Sequence, residues 1–150
     1  MSDVILDAFH RMELSHANGW MGNHPAARAE IERHIMLFPS AVLPSADDPA
    51  VIFGIVFTYG IGTIWMVTGR KFETCWRSIA RLQRQYCAAV YDALGLRRMQ
   101  MLVDAARPSD QRYAEFMGFN RESLTPHVGL GPQGEDLLFY TWKGEKTWVD

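Results

Sequence analysis

The sequence predicts one α/β domain: a mixed, mainly antiparallel sheet with flanking helices, behind a helical N-terminal segment. Three observations carry that expectation. Residues 1–47 show helical patterning with clear stop signals, while 48–68 switch to two strand-like runs about a glycine-containing turn. A long amphipathic stretch, 74–95, then separates these runs from a further strand. The length, 150 residues, and the composition, 48% apolar and 21% charged, suit a single domain with its own core rather than a disordered chain.

In the N-terminal segment, residues 4–17 read as a first helix. Ser2 or Asp3 caps it, Val4, Ile5, Ala8, Phe9 and Met12 form its apolar face, and Asn18-Gly19 ends it. After a loop at 19–24, Pro25 suits the first turn of a second helix running to Phe38, with Ile31, Ile35 and Phe38 on one side. Pro39, Pro44 and Pro49 leave room for a short edge strand at Ala41–Leu43.

The segment Pro49–Gly69 carries no charge and is long enough to cross a bilayer. Its glycines and its β-branched and aromatic content point instead to a hairpin, with Tyr59-Gly60-Ile61-Gly62 as the turn. The long helix, Thr74 to Gly95, places Cys75, Ile79, Leu82, Tyr86 and Val90 on a buried stripe, with Arg77, Arg81 and Arg84 on the other face. A strand at Met99–Val103, a helix from Pro108 to Gly118, and two last strands at Glu122–Val128 and Leu137–Trp142 complete the order. One right-handed βαβ crossover in an otherwise antiparallel set gives the mixed sheet.

Charge and cysteine usage narrow the function classes. A net charge of −2 lacks the basic excess of a nucleic-acid binder, so such a contact would rest on a local patch. Cys75 and Cys87 lie on one helix, about 18 Å apart along its axis, too far for a disulfide. An intracellular protein is expected, and the acidic start Met1-Ser2-Asp3 shows no secretory signal. The five histidines have no metal-ligand spacing, so no metal is expected.

The element order, with Met117-Gly118-Phe119 closing the second helix of the core, resembles the GNAT N-acetyltransferase fold over residues 48–142. The first strand of that fold has no counterpart in residues 1–47. More narrowly, the chain resembles the acetyltransferase-like internal virion proteins of short-tailed phages. That likeness rests on Ile64-Trp65-Met66-Val67-Thr68, Tyr91-Asp92-Ala93-Leu94, and Gln111-Arg112-Tyr113 leading to the Met-Gly-Phe.

The resemblance implies a cofactor loop after the hairpin, where glycines let the backbone approach the pyrophosphate of acetyl-CoA. The corresponding segment here is Thr68-Gly69-Arg70-Lys71-Phe72-Glu73-Thr74-Cys75-Trp76. It has one glycine, placed too early, and bulky or acidic residues where small ones are needed. Thr68, Arg70, Lys71 and Thr74 are the residues a bound cofactor would meet. A plain connection with Glu73 or Thr74 capping the helix accounts for the same residues. The tyrosine that protonates the leaving thiolate in many relatives is replaced by Ala114, and Tyr113, the candidate catalytic acid, is turned by about 100° from that position. Arg107 stands where an asparagine is common, and Glu30, Glu32 and Glu135 are undistinguished candidates for the base.

Arg77, Arg81 and Arg84 form either a solvated face or a contact for an anionic partner. Trp142 fits the end of the last strand, and Trp148 either packs back or anchors an interface. Two functions follow as expectations. The first is a phage virion-associated structural or ejected protein without catalysis or cofactor, found in the particle or host cytoplasm, whose partners are other virion proteins or itself. The second is an active acetyl-CoA-dependent N-acetyltransferase with a divergent loop.

Overall fold

A computed structural model describes residues 2–142. The elements run α1 (Ser2–Arg11), a 3₁₀ turn (Gly19–Asn23), α2 (Pro25–Leu37), β1 (Ser40–Pro44), β2 (Pro49–Thr58), β3 (Ile61–Thr68), α3 (Phe72–Ala93), β4 (Arg98–Asp104), α4 (Pro108–Phe116), β5 (Asn120–Arg121) and β6 (Leu137–Trp142). The six strands form one sheet in the order β1-β2-β3-β4-β6-β5. β3 and β4 pair in parallel, Ile61 with Arg98 to Thr63 with Gln100, across the α3 crossover. The β1–β2, β4–β6 and β5–β6 pairs are antiparallel. This is the mixed α/β architecture read from the sequence. No strand precedes α1 among the described residues.

The chain divides into two compact units. The first takes the residues up to Val56 together with Trp65–Ile79. Its core joins Ile5, Ala8, Phe9 and Met12 of the N-terminal segment to Met21, Ile35 of α2, Ile52 of β2 and Val67 of β3. All residues from Ala50 to Ile55 are buried, which accounts for the unbroken apolar run of β2, since a strand covered on both faces needs no alternation. Gly54 is required by close packing: a Cβ there would lie 2.6 Å from the Pro39 carbonyl oxygen and 2.9 Å from the Trp65 ring.

The second unit takes Phe57–Ile64 and the residues from Ala80 on. β4 alternates cleanly, with Met99, Met101 and Val103 buried, and pairs over six residues with β6. Trp142 is buried at the end of β6, edge-on to Tyr91 with ring centroids 4.8 Å apart. Gly95 and Gly118, with φ of 61° and 88°, follow α3 and α4 in the left-handed region that favours glycine.

Four expectations are corrected. The first helix stops at Arg11 rather than residue 17, because Glu13–Ser15 leave it to bridge Gly69. The hairpin turn is Tyr59-Gly60 alone, with φ of 53° and 80°, and Ile61 and Gly62 already belong to β3. In α3 the buried residues are Ile79, Ala80, Gln83 and Cys87, while Leu82 is 43% exposed. The stripe was displaced because a buried glutamine takes the place an apolar residue was expected to fill, and Cys75 (φ −131°, ψ 17°) interrupts the helix ahead of it. Glu122–Val128 is not a strand. β5 covers only Asn120–Arg121, and beyond it a lone bridge joins His127 to Leu137. Pro126 removes a ladder donor there, and Leu124 and Val128 stand exposed.

Cys75 and Cys87 are unpaired. Among the described residues, no helix is long and apolar enough to cross a membrane.

Candidate functional site

The segment that the resemblance makes a cofactor loop joins β3 to α3. Thr68 is 7% exposed, and its polar groups are all engaged within the chain. Its N–H and its hydroxyl both donate to Asn18 Oδ1, each at 2.7 Å. Its carbonyl accepts the Ser15 N–H at 2.9 Å. Ser15 Oγ lies 2.6 Å from Thr68 Oγ1, and since the threonine hydroxyl hydrogen goes to Asn18, the serine is the donor.

The neighbouring amides are held in the same way. Gly69 N–H donates to Ala50 O at 2.8 Å, and Arg70 N–H to Glu13 O at 2.9 Å. Phe72, Glu73 and Thr74 donate to the carbonyls of Gly69, Arg70 and Lys71, which turns the chain into the helix. The side-chain cations are paired too, Arg70 Nε with Glu13 at 3.3 Å and Lys71 Nζ with Asp48. Thr74 Oγ1 donates to Lys71 O at 2.9 Å.

Neither expected cap forms as such. The Glu73 carboxylate accepts the His16 N–H at 3.0 Å and lies 3.1 Å from His16 Nδ1. The hydrogen bond from the His16 backbone, then that from its ring, holds this carboxyl below the ordinary carboxylate range. Helix α3 instead opens with a self-bonded turn before the break at Cys75.

Tyr113 lies on α4 in the other unit. Its hydroxyl donates to Gln83 Oε1 of α3, and Gln83 is 1% exposed. Burial, with a smaller contribution from Cys87, pushes the phenol well above its ordinary value. The phenol is thus tied by a hydrogen bond to a buried amide. Ala114, the position to which the resemblance assigns the acid, is fully buried. Arg107 caps α4 by position and pairs with Asp110 at 3.0 Å.

The candidate bases are engaged on the surface or in turns. Glu32 lies 3.2 Å from His10, Glu30 3.8 Å from His34, and Glu135 accepts the Gln133 N–H. Arg77 and Arg81 are exposed, Arg77 stacked on Trp76, while Arg84 is half-buried over the Phe116 ring. Trp148 lies outside the described residues. Among the described residues no cluster of three metal-ligating side chains occurs.

Sequence reasoning missed Glu13, Ser15, His16 and Asn18, which it had placed in a helix or at its end, and Gln83, which broke the apolar pattern. The one visible signal was Asn18-Gly19, a stop that the chain reaches several residues after the helix has ended.

No family profile matches the chain, and no curated protein is similar to it in sequence. Solved structures do share its fold. The ribosomal-protein-S18-alanine N-acetyltransferase from Escherichia coli superposes with a TM-score of 0.66 at 15% identity, over 96% of this chain and 93% of that one. A GNAT-family acetyltransferase from Bacillus anthracis gives 0.62 at 13%, over 81% and 75%. A putative acetyltransferase from Salmonella typhimurium, determined with acetyl-CoA, gives 0.61 at 13%, over 83% and 76%. The chain therefore has the GNAT acetyltransferase fold.

The sequence resemblance places an acetyl-CoA loop at the β3–α3 junction. The junction as built does not fit it: the amides of residues 68, 69, 70 and 72–74 already have partners within the chain, and no row of unpaired donors faces outward from them.

Proposed function

We propose that this protein uses the GNAT fold without acetyl transfer, as a virion-associated structural or ejected protein of a short-tailed phage. The observation that carries the first half is that the amides of Thr68, Gly69, Arg70 and Phe72–Thr74 already have partners within the chain, so these six offer a pyrophosphate no free N–H. The packed Tyr113–Gln83 pair supports it. The phage half rests on the sequence resemblance of the strand before α3, the end of α3, and the Gln-Arg-Tyr to Met-Gly-Phe segment. On this reading the partners are other virion proteins or a second copy, and Arg77, Arg81 and Arg84 are the residues for any anionic contact.

The second reading is an active N-acetyltransferase. It is favoured by the fold and by the exposed Arg70 side chain, since exposed ion pairs are weak and an anion can displace them.

Thermal shift or calorimetry with acetyl-CoA separates the two. A ligand at 100 times its dissociation constant stabilises by about 2.7 kcal/mol, so a true cofactor site moves the melting point by several degrees. No shift at millimolar acetyl-CoA is the expected outcome. Micromolar binding together with turnover of acetyl-CoA reverses the ranking. Mass spectrometry of purified particles tests the phage half, which fails if the chain is expressed during infection but absent from them.

A further inference from the structure

We propose that residues Glu13–Asn18 form a strap that closes the β3–α3 junction in cis, so that this chain's own backbone and the Glu13 carboxylate stand where a phosphate-bearing ligand would bind. The inference deepens the non-catalytic reading and rests on it, because it says how the junction is kept from such a ligand.

The geometry is that of a short added strand. Gly69 N–H points to Ala50 O of β2, so the groups of Thr68 and Arg70 point to the opposite edge of β3. On that edge Ser15 N–H meets Thr68 O and Glu13 O meets Arg70 N–H, both at 2.9 Å, around the antiparallel bridge from Leu14 to Gly69. This is the bond pair of an antiparallel ladder, one residue long. Side chains fasten both ends. Asn18 and Ser15 hold Thr68, the Glu13 carboxylate sits on Arg70, and His16 holds Glu73. Towards Arg70, Glu13 thus accepts from the amide through its carbonyl and pairs with the guanidinium through its carboxylate, taking up two groups that a phosphate oxygen would meet.

The lone glycine of the loop belongs to the strap. A Cβ at Gly69 would come within 2.8 Å of Met12 Cγ, 2.9 Å of Met12 Sδ and 3.2 Å of Glu13 O. The absent side chain makes room for residues 12–13 of the same chain. Read by pattern alone, Gly69 is a remnant of a cofactor loop; read by its contacts, it is what lets the strap lie down.

The test pairs amide hydrogen exchange with binding of inorganic pyrophosphate and of CoA, neither of which needs turnover. In the wild type, the Thr68 and Arg70 amides should exchange as slowly as the sheet amide of Gly69, and neither probe should change those rates. In the Ser15→Ala, Asn18→Ala double variant the Thr68 and Arg70 amides should exchange at least about tenfold faster while Gly69 is unchanged. Pyrophosphate binding should then appear by calorimetry and vanish again on Arg70→Ala. Glu13→Gln, which removes only an exposed charge, should raise pyrophosphate affinity about tenfold, the worth of one charge-assisted contact, and decides the matter if the double variant does not fold. Fast exchange at Thr68 and Arg70 in the wild type overturns the proposal. So does equal pyrophosphate binding by the wild type and either folded variant. Acetyl-CoA turnover by the wild type would instead overturn the non-catalytic reading, so the two failures are distinct.

Discussion

Gly69→Ala should destabilise the protein by about 1–2 kcal/mol, although the backbone at residue 69 lies outside the left-handed region and places no conformational bar on alanine. Two opposing effects set that figure. Replacing glycine narrows the unfolded ensemble and stabilises by about 0.4–1 kcal/mol where the native backbone accepts a side chain. Against it, the new Cβ would sit 2.8 Å from Met12 Cγ, 2.9 Å from its Sδ and 3.2 Å from Glu13 O. Met12 is 9% exposed and belongs to the core with Phe9, Ile35 and Val67, so its side chain cannot swing away freely, and overpacking of this kind costs about 1–3 kcal/mol. Urea unfolding followed by far-UV circular dichroism measures the result as a lower midpoint at unchanged slope. In a Met12→Ala background the same substitution should cost markedly less, because the two sites share the space. A Gly69→Ala protein as stable as the wild type, or more so, would show that residues 12–14 do not lie against β3, and the strap would fall with them.

Three further outcomes are expected. Ile79→Ala should cost about 2–5 kcal/mol and Leu82→Ala within about 0.5, since one is 3% and the other 43% exposed; the reverse order in urea unfolding would put the α3 phase in error. Tyr113→Phe leaves the buried Gln83 oxygen without its donor and should lower stability by about 1–3 kcal/mol, and a fold unaffected by it would return Tyr113 to candidacy as an acid. A thiol reagent should modify Cys75 in the native protein but reach Cys87 only on unfolding, because burial pushes the Cys87 thiol up to about 12; rapid modification of both would contradict the packing of α3.

The parts of the fold legible in the sequence are those where one local rule acts alone. The hairpin followed from two apolar runs around Tyr59-Gly60-Ile61-Gly62, and β4 was expected at Met99–Val103 and found there. The ends of α3 and α4 were marked by Gly95 and Gly118. Errors arose where a distant partner outbid the local pattern. Glu13 and Ser15 have nothing in their own neighbourhood to bar a helix, and what draws them out of one is Thr68 and Arg70, more than fifty residues on. Gln83 reads as surface because glutamine usually is surface; Tyr113, thirty residues later, supplies a donor to its buried oxygen. The candidate loop was visible as a departure from a pattern, while the partners that fill it were not.

The fold of this chain and the bonding of its β3–α3 junction rest on different physical terms. At 13–15% identity to its structural neighbours the sheet persists, because it is specified by burial: Ala50–Ile55, Ile64, Val67 and Leu138 need only be apolar and of suitable volume. The β3–α3 junction is specified by something else, the direction of a few N–H groups at one strand end. Turning those groups toward Asn18, Glu13 and Ala50 leaves the buried face of β3 intact, since Val67 remains in the core whichever acceptor Thr68 and Arg70 find. The junction can therefore change its chemistry without loss of core packing. It follows that loosening the strap should alter exchange at Thr68 and Arg70 before it alters the melting of the sheet, whereas substitutions at Ile52 or Val67 should do the opposite.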